Sequence, residues 1–280
     1  MKRFERFKRL EQLGRKGCVY PLGVIGLILL GISGCAPMAP QTTNYPDSSL
    51  TKIWDVGELA KSLAQRNHQL RSLRTLATVS YWGEDGRAGF QEAILVHRPD
   101  RLRLETLSPL GVILIVTADG DEITGFHPRE GLFYRGRSSK ENLFRYTQIP
   151  LELGELASLL MGLPPLEAQG RWEQGDNSIY LELAGGVRDR IVFHPSLGVP
   201  AKWERLSVAG EIELSALFSD FIPTPDGPFP LKISLEAHTR QKRLEIHYQE
   251  PELNVTLPLP LFVQEKPANA REIALESLGG

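Results

Sequence analysis

The feature that most restricts this chain is a two-residue hydrophobic period that returns along its length. In "RLRLETL" (101–107), Leu102 and Leu104 alternate with Arg101, Arg103 and Glu105. "LKISLEA" (231–237) sets Leu231, Ile233 and Leu235 against Lys232, Ser234 and Glu236, and "KRLEIHY" (242–248) sets Leu244, Ile246 and Tyr248 against Arg243, Glu245 and His247. "SIYLEL" and "EIELSA" do the same. Successive side chains of a strand point to opposite faces, so each segment has one apolar and one wetted face, as half-buried antiparallel strands do. Turn dipeptides fall between them: Asp85-Gly86, Asp119-Gly120, Gly185-Gly186 and Asp226-Gly227. The pattern predicts a mainly β, α+β chain whose meander curls into a barrel or partial barrel.

One helix precedes the strands and another interrupts them. Val56, Leu59, Ala60, Leu63, Ala64 and Leu70 fall at helical spacing and give one face to pack on a sheet. "PLELGELASLLMGLPP" opens on Pro150, places Leu153, Leu156, Ala157 and Leu160 on one side, and stops at Gly162 and Pro164. Between Arg101 and Val116 a half-polar strand breaks at Ser108-Pro109 and resumes as "VILIV", apolar at both parities and so expected to be covered on both faces. Pro109 stiffens the intervening turn, Gly111 permits a tight bend, and Leu110 is its tip. From spacing alone, that leucine either projects or folds back over the sheet edge.

The N-terminus carries a different signal. "MKRFERFKRLEQLGRKG" is basic, and the apolar run that follows is short and interrupted by Pro21 and glycines, as in a cleavable signal. Ile32-Ser33-Gly34-Cys35 resembles the bacterial lipobox, which implies a diacylglycerol on the Cys35 thiol, cleavage before it and acylation of the new amine. Ala36 after the cysteine resembles the default sorting to the outer membrane. Cys18 falls in the leader, so Cys35 would be the one mature cysteine and no intrachain disulfide is possible. Residues 36–50, rich in Pro, Ser, Thr and Asn, form a tether of roughly 45 Å if extended at ~3.1 Å per residue. Residues 1–34 hold seven Lys/Arg and two Asp/Glu, leaving 25 basic against 32 acidic side chains and a net charge of −7. So acidic a body offers no footprint for phosphate backbones, and nucleic acid is excluded as an expected partner.

No catalytic signature stands out. There is no Gly-x-Ser-x-Gly elbow, no His-Glu-x-x-His and no phosphate-cradling glycine loop. His68, His97, His127, His194, His238 and His247 are scattered without a second ligand at metal spacing, so no metal is expected. Tyr81, Trp82, Trp172 and Trp203 suit barrel filling. A hydrolase would need a Ser/His/Asp or paired-carboxylate site assembled from distant strands; a non-enzyme is expected.

Three further stretches carry a resemblance. "DRLRLETLSPLG" is similar to the strand and Pro-Leu-Gly turn of the LolB family of outer-membrane lipoprotein receptors. "LASLLMGLPP" resembles that family's helix with its Gly-Leu-Pro stop, and "GPFPLKISLEAHTRQKRLEIHY" resembles its last hairpin. With the lipobox these fall in the family's order over about residues 56–250. The insert before the last hairpin is longer and the tail after Tyr248 is extra, as in a diverged relative of the LolA/LolB-like superfamily.

The resemblance implies a curved antiparallel sheet, an unclosed β-barrel covered by helices, with an apolar cavity for acyl chains. The expected division is a signal peptide at 1–34, the acylated cysteine and tether at 35–50, a half-barrel at 51–256 and a tail at 257–280. Leu102, Leu104, Ile113, Ile115, Leu153, Leu156, Leu160, Leu231, Ile233, Leu244 and Ile246 are the cavity candidates, and Pro109, Leu110 and Gly111 form the membrane-transfer turn with Leu110 projecting. The implied function is binding the acyl chains of lipoproteins and inserting them into the outer membrane, after receiving them from a periplasmic LolA-like carrier. The protein would be a monomer anchored in the outer membrane facing the periplasm, with no cofactor beyond the lipid on Cys35. The alternative is a structural or accessory envelope lipoprotein of the same fold with no transport role.

Overall fold

The computed structural model describes residues 55–84, 86–166, 171–175 and 178–278; the leader, Cys35, the tether and Asp85 lie outside them. Helix α1 (Val56–Gln69) leads into six strands, β1 (Ser72–Gly83), β2 (Gly86–His97), β3 (Arg101–Ser108), β4 (Gly111–Ala118), β5 (Glu122–His127) and β6 (Leu132–Arg137). Helices α2 (Lys140–Thr147) and α3 (Leu153–Leu160) follow. Then come β7 (Arg171–Gly175), β8 (Ser178–Glu182), β9 (Arg188–Phe193), β10 (Pro200–Leu206), β11 (Ile212–Ile222), β12 (Phe229–Ala237), β13 (Lys242–Leu253) and β14 (Arg271–Ala274). All fourteen strands join one sheet in the order β14-β6-β5-β4-β3-β2-β1-β13-β12-β11-β10-β9-β8-β7. β14 and β7 each keep a free edge, so the barrel is unclosed.

The alternating segments form strands as their period predicts. Leu102, Ile233 and Ile246 are buried, while their neighbours Arg103, Lys232 and His247 keep contact with water. The buried parity defines a concave face, and the helices fill it. Helix α3 has no wet side: Leu153, Leu156, Ala157, Ser158, Leu159 and Leu160 are all buried, with Met161 and Leu163 beyond them. A helix this enclosed belongs inside a core, its one carboxylate, Glu155, being bound by Arg205. This one packs on β2 and β3, and the buried Tyr248 hydroxyl of β13 donates to Leu160 O at 2.9 Å.

Helix α1 starts at Asp55, whose Oδ2 accepts from the Gly57 amide, and buries Leu59 and Leu63. Arg66 Nη2 donates to Pro228 O at 2.8 Å, and Arg98 Nη1 donates to Asn67 O at 2.7 Å. These bonds fix α1 at the end of the sheet that carries the β2–β3 and β11–β12 loops. Helix α2 was not expected from the sequence. It is eight residues long, capped by Ser139 Oγ accepting from Asn142 N, and buries only Asn142 and Leu143, too little for a period to show.

The tail, unplaced by sequence, crosses the convex face. Arg103 Nη1 donates to Leu261 O at 3.0 Å, and buried Phe262 meets the His97 ring edge-on at 6.2 Å. The strap runs on the face where Thr117, Thr124 and Phe133 are also buried. It then adds β14 to β6 in parallel, the one departure from the antiparallel sheet expected. Leu275 is buried beyond it, and Glu276 Oε1 accepts from the Arg137 amide at 2.9 Å and Asn142 Nδ2 at 3.0 Å.

Two substitutions probe this arrangement. Gly162, just past α3, has φ +67°, and a Cβ there would lie 2.7 Å from the Pro230 ring. Gly162→Ala therefore lowers stability by roughly 1–3 kcal/mol, read as a lower thermal melting temperature. Phe262→Ala costs roughly 3 kcal/mol; an unchanged melt would mean that the strap is not part of the core.

Candidate functional site: a concave apolar face beside an exposed turn

The expected cavity residues divide by parity. Leu102, Ile233 and Ile246 face inward and are buried, as are Leu153, Leu156 and Leu160 on α3. Leu104, Leu231 and Leu244 also face inward but are only partly covered. Ile115 is different. It pairs with Glu105 and Phe126, on the convex side, while Leu114 and Val116 face the core. Ile113 is the extra residue of a bulge, where Thr106 pairs with Leu114 but Leu107 pairs with Val112. A run apolar at both parities hides this choice.

On the first half of the sheet the concave face is half open. Phe90, Leu104 and Leu114 pack on the core and keep partial contact with solvent. Within this patch lies Glu92, which shares the parity of Phe90, Ile94 and Val96 and pairs across strands with Thr106, itself paired with Leu114. Thr106 Oγ1 donates to Glu92 Oε1 at 3.1 Å. Burial pushes the Glu92 carboxyl up to about 7, the Thr106 hydrogen bond only partly offsetting it. Glu92 was not among the residues expected at the site, though parity within "FQEAILV" places it inward.

The other inward carboxylates are paired. Arg205 donates to Asp189 through Nε at 2.9 Å and Nη2 at 3.0 Å, and through Nη1 to Glu155 of α3. Burial opposes the Arg205 charge, but the two carboxylates more than compensate and hold its pKa above the usual range.

Leu110 projects. It is 82% exposed at the β3–β4 turn. Ser108 Oγ accepts from the Leu110 amide at 3.2 Å and donates to Gly111 O at 2.9 Å, fixing the turn. Gly111 has φ +103° with open space around it, so backbone conformation and not crowding calls for glycine. Strand register places the β1–β2, β3–β4, β10–β11 and β12–β13 turns at the same end of the sheet, opposite α1. There Val208, 74% exposed on β10–β11, is a second apolar tip. The β12–β13 hairpin brings basic groups to that end: Arg240 over Phe144 at 4.7 Å and Arg243 over Trp82 at 5.3 Å.

Two surface hollows are lined mainly by charged residues. One of about 410 Å³ lies beside Trp82, Arg87, His238 and Arg243, and another of about 500 Å³ beside Glu122, Arg135, Arg137 and Glu272 at the β14 edge. Neither sits on the apolar concave face. One contact near the first has the composition of a hydrolytic triad: Ser215 Oγ and His238 Nε2 are 2.9 Å apart, with Glu236 Oε1 3.8 Å from His238 Nδ1. Its geometry does not complete one. The glutamate is too far to orient the imidazole by a hydrogen bond, and His238 is exposed to water. Among the described residues, no group of three or more His, Cys, Asp or Glu could hold a metal ion, and no helix is long and apolar enough to cross a membrane.

No family profile and no curated protein sequence matches this chain. Solved structures do. A putative outer membrane lipoprotein-sorting protein domain from Vibrio parahaemolyticus aligns over 73% of this chain and 94% of its own at 11% identity, with a TM-score of 0.52. A LolA superfamily protein from Nitrosomonas europaea aligns over 74% of this chain and 97% of its own at 17% identity, with a TM-score of 0.51. A DUF1329 family protein from Desulfovibrio piger, 12% identical over 73% of this chain and 94% of its own, also has a TM-score of 0.52. The fold implied by the sequence resemblance is therefore the fold observed: this chain has the LolA-like unclosed barrel.

Proposed function

We propose that this protein is an outer-membrane lipoprotein, held by a lipidated Cys35, that takes the acyl chains of other lipoproteins onto its concave face and passes them into the membrane. The observation that carries this reading is Leu110, exposed at the tip of the two strands that bear the half-open patch of Leu104 and Leu114. Thr106, beside that patch, is four residues from the tip, roughly 13 Å at ~3.3 Å per residue. A chain leaving the patch thus emerges where an apolar side chain already meets the bilayer. Val208 at the same end would make a second point of entry. Each methylene is worth ~0.8 kcal/mol in an apolar environment, so a triacylated cargo cannot cross water unescorted, and the membrane is its deeper well. A periplasmic LolA-like carrier is the delivering partner in this reading, and no catalytic group is needed.

The filling of the concave face by α3 supports a second reading, a structural or accessory envelope lipoprotein that carries no cargo. Acyl lipids recovered by organic extraction of the purified protein favour the first; lipid-free protein favours the second.

Leu110→Glu separates the turn from the fold. Its side chain touches little, so the melting temperature stays within a degree or two of wild type, while transfer of an acylated lipoprotein into vesicles slows by roughly tenfold or more. Transfer at the wild-type rate would remove the turn from the mechanism.

A further inference from the structure

A carboxyl on an apolar face needs a reason. Transferring such a group away from water costs several kcal/mol unless it is paired and hydrogen-bonded. The inward Asp189 and Glu155 meet that cost by sharing Arg205. Glu92, half-buried, does not: among the described residues its hydrogen-bond partner is Thr106, a neutral hydroxyl. Thr106 is itself buried, which fixes the carboxyl between Phe90, Leu104 and Leu114, the part of the concave face that solvent still reaches. The result is a single hydrogen-bonding group presented inside a greasy patch, the usual composition of a small-ligand site in which one polar group sets orientation.

We propose that Glu92, positioned by Thr106, is the polar anchor for an acyl ligand that carries an N–H donor beside its chains, an N-acyl amide or an ammonium head, and that it disfavours acyl ligands with an anionic head. This inference rests on the acyl-binding reading above and adds to it the class of head group. A carboxylate accepts from an amide or ammonium N–H and repels a phosphate or a free fatty-acid carboxylate. Its neutral form still accepts through its carbonyl oxygen, so the anchor serves an amide in both protonation states. An N-acylated lipopeptide and an ethanolamine phospholipid share this chemistry.

The test uses the full chain, purified in a mild detergent, and displacement of a fluorescent fatty-acyl probe. The competitors are a synthetic N-palmitoylated lipopeptide, phosphatidylethanolamine and phosphatidylglycerol, the two phospholipids carrying the same acyl chains. At about pH 8, where the carboxyl is ionised, wild type is expected to favour the lipopeptide or the ethanolamine lipid over the glycerol lipid by about tenfold. Glu92→Leu abolishes that preference. Glu92→Gln, which keeps an acceptor but no charge, retains lipopeptide binding and loses only the ethanolamine preference, and so tells the two sources apart.

Folding is checked in the same samples. The native carboxyl holds its proton up to about pH 7, above the ordinary glutamate value of 4.5. The folded state therefore has its full Glu92 contribution below about pH 4.5 and loses it as pH rises through about 7. Glu92→Gln should melt at or above wild type at about pH 8 and level with it at about pH 4. If wild type binds none of the three lipids, the acyl-binding function itself fails. If it binds all three equally and Glu92→Leu changes nothing, the function stands and the anchor is refuted.

Discussion

Helix α3 is the constraint around which the rest is arranged. Eight residues are too few for a helix stable by itself in water, and this one has no polar stripe to turn outward. Each of its leucines contributes about 1.5–3 kcal/mol only if covered, so cover must come from every direction. A flat sheet covers one side; a curled one covers most of the circumference. Fourteen twisted strands in one sheet curl rather than lie flat, and the concave face that results is the surface α3 needs. The same curl leaves a mouth at each end, one taken by α1 and the other fringed by the turns that include Leu110.

Most of this was legible wherever one parity of a strand is charged. Leu102 beside Arg103, and Ile233 beside Lys232, announce their faces because the alternative would bury a charge. The reading failed where that contrast is missing. In "VILIV" both parities are apolar, and a bulge at Ile113 resets the register, so Ile113 and Ile115 looked equivalent to the true inward residues Leu114 and Val116. Local pattern also cannot report partners far along the chain. Phe262 is buried by His97 and the convex face, but within "LPLPLFV" it is one apolar residue among prolines. Glu92 was the opposite case: its parity was visible, yet a lone carboxylate among hydrophobic neighbours is normally assigned to solvent.

The strap resolves a difficulty that the curled sheet creates. Convex residues of the first half, among them Thr117, Thr124 and Phe133, are buried although they lie on the outer parity of the sheet, which a meander alone would leave wet. Thr117 and Thr124 satisfy each other, with hydroxyl oxygens 2.7 Å apart, which removes the cost of covering them. The tail then supplies Phe262, and β14 supplies ladder bonds to the otherwise open edge of β6. The convex face of the first half thus carries the tail while its concave face stays half open at Phe90, Leu104 and Leu114, and Leu110 projects from the turn between two of its strands.

The two halves of the sheet hold α3 by different forces. At its start the helix is bound through Glu155 to Arg205, which is also clasped by Asp189, a charged cluster enclosed by protein. Separating those groups would strand a buried charge, at a cost of roughly 3–5 kcal/mol. Toward β2 and β3 the contact is largely apolar and non-directional, and part of the face there is already open at Phe90, Leu104 and Leu114. Apolar contacts given up to a hydrocarbon chain are replaced in kind, with little net loss, whereas an ion pair given up to one is not. Any acyl ligand that gains room between sheet and helix therefore gains it more cheaply on the side of the sheet that carries Glu92 and ends at Leu110.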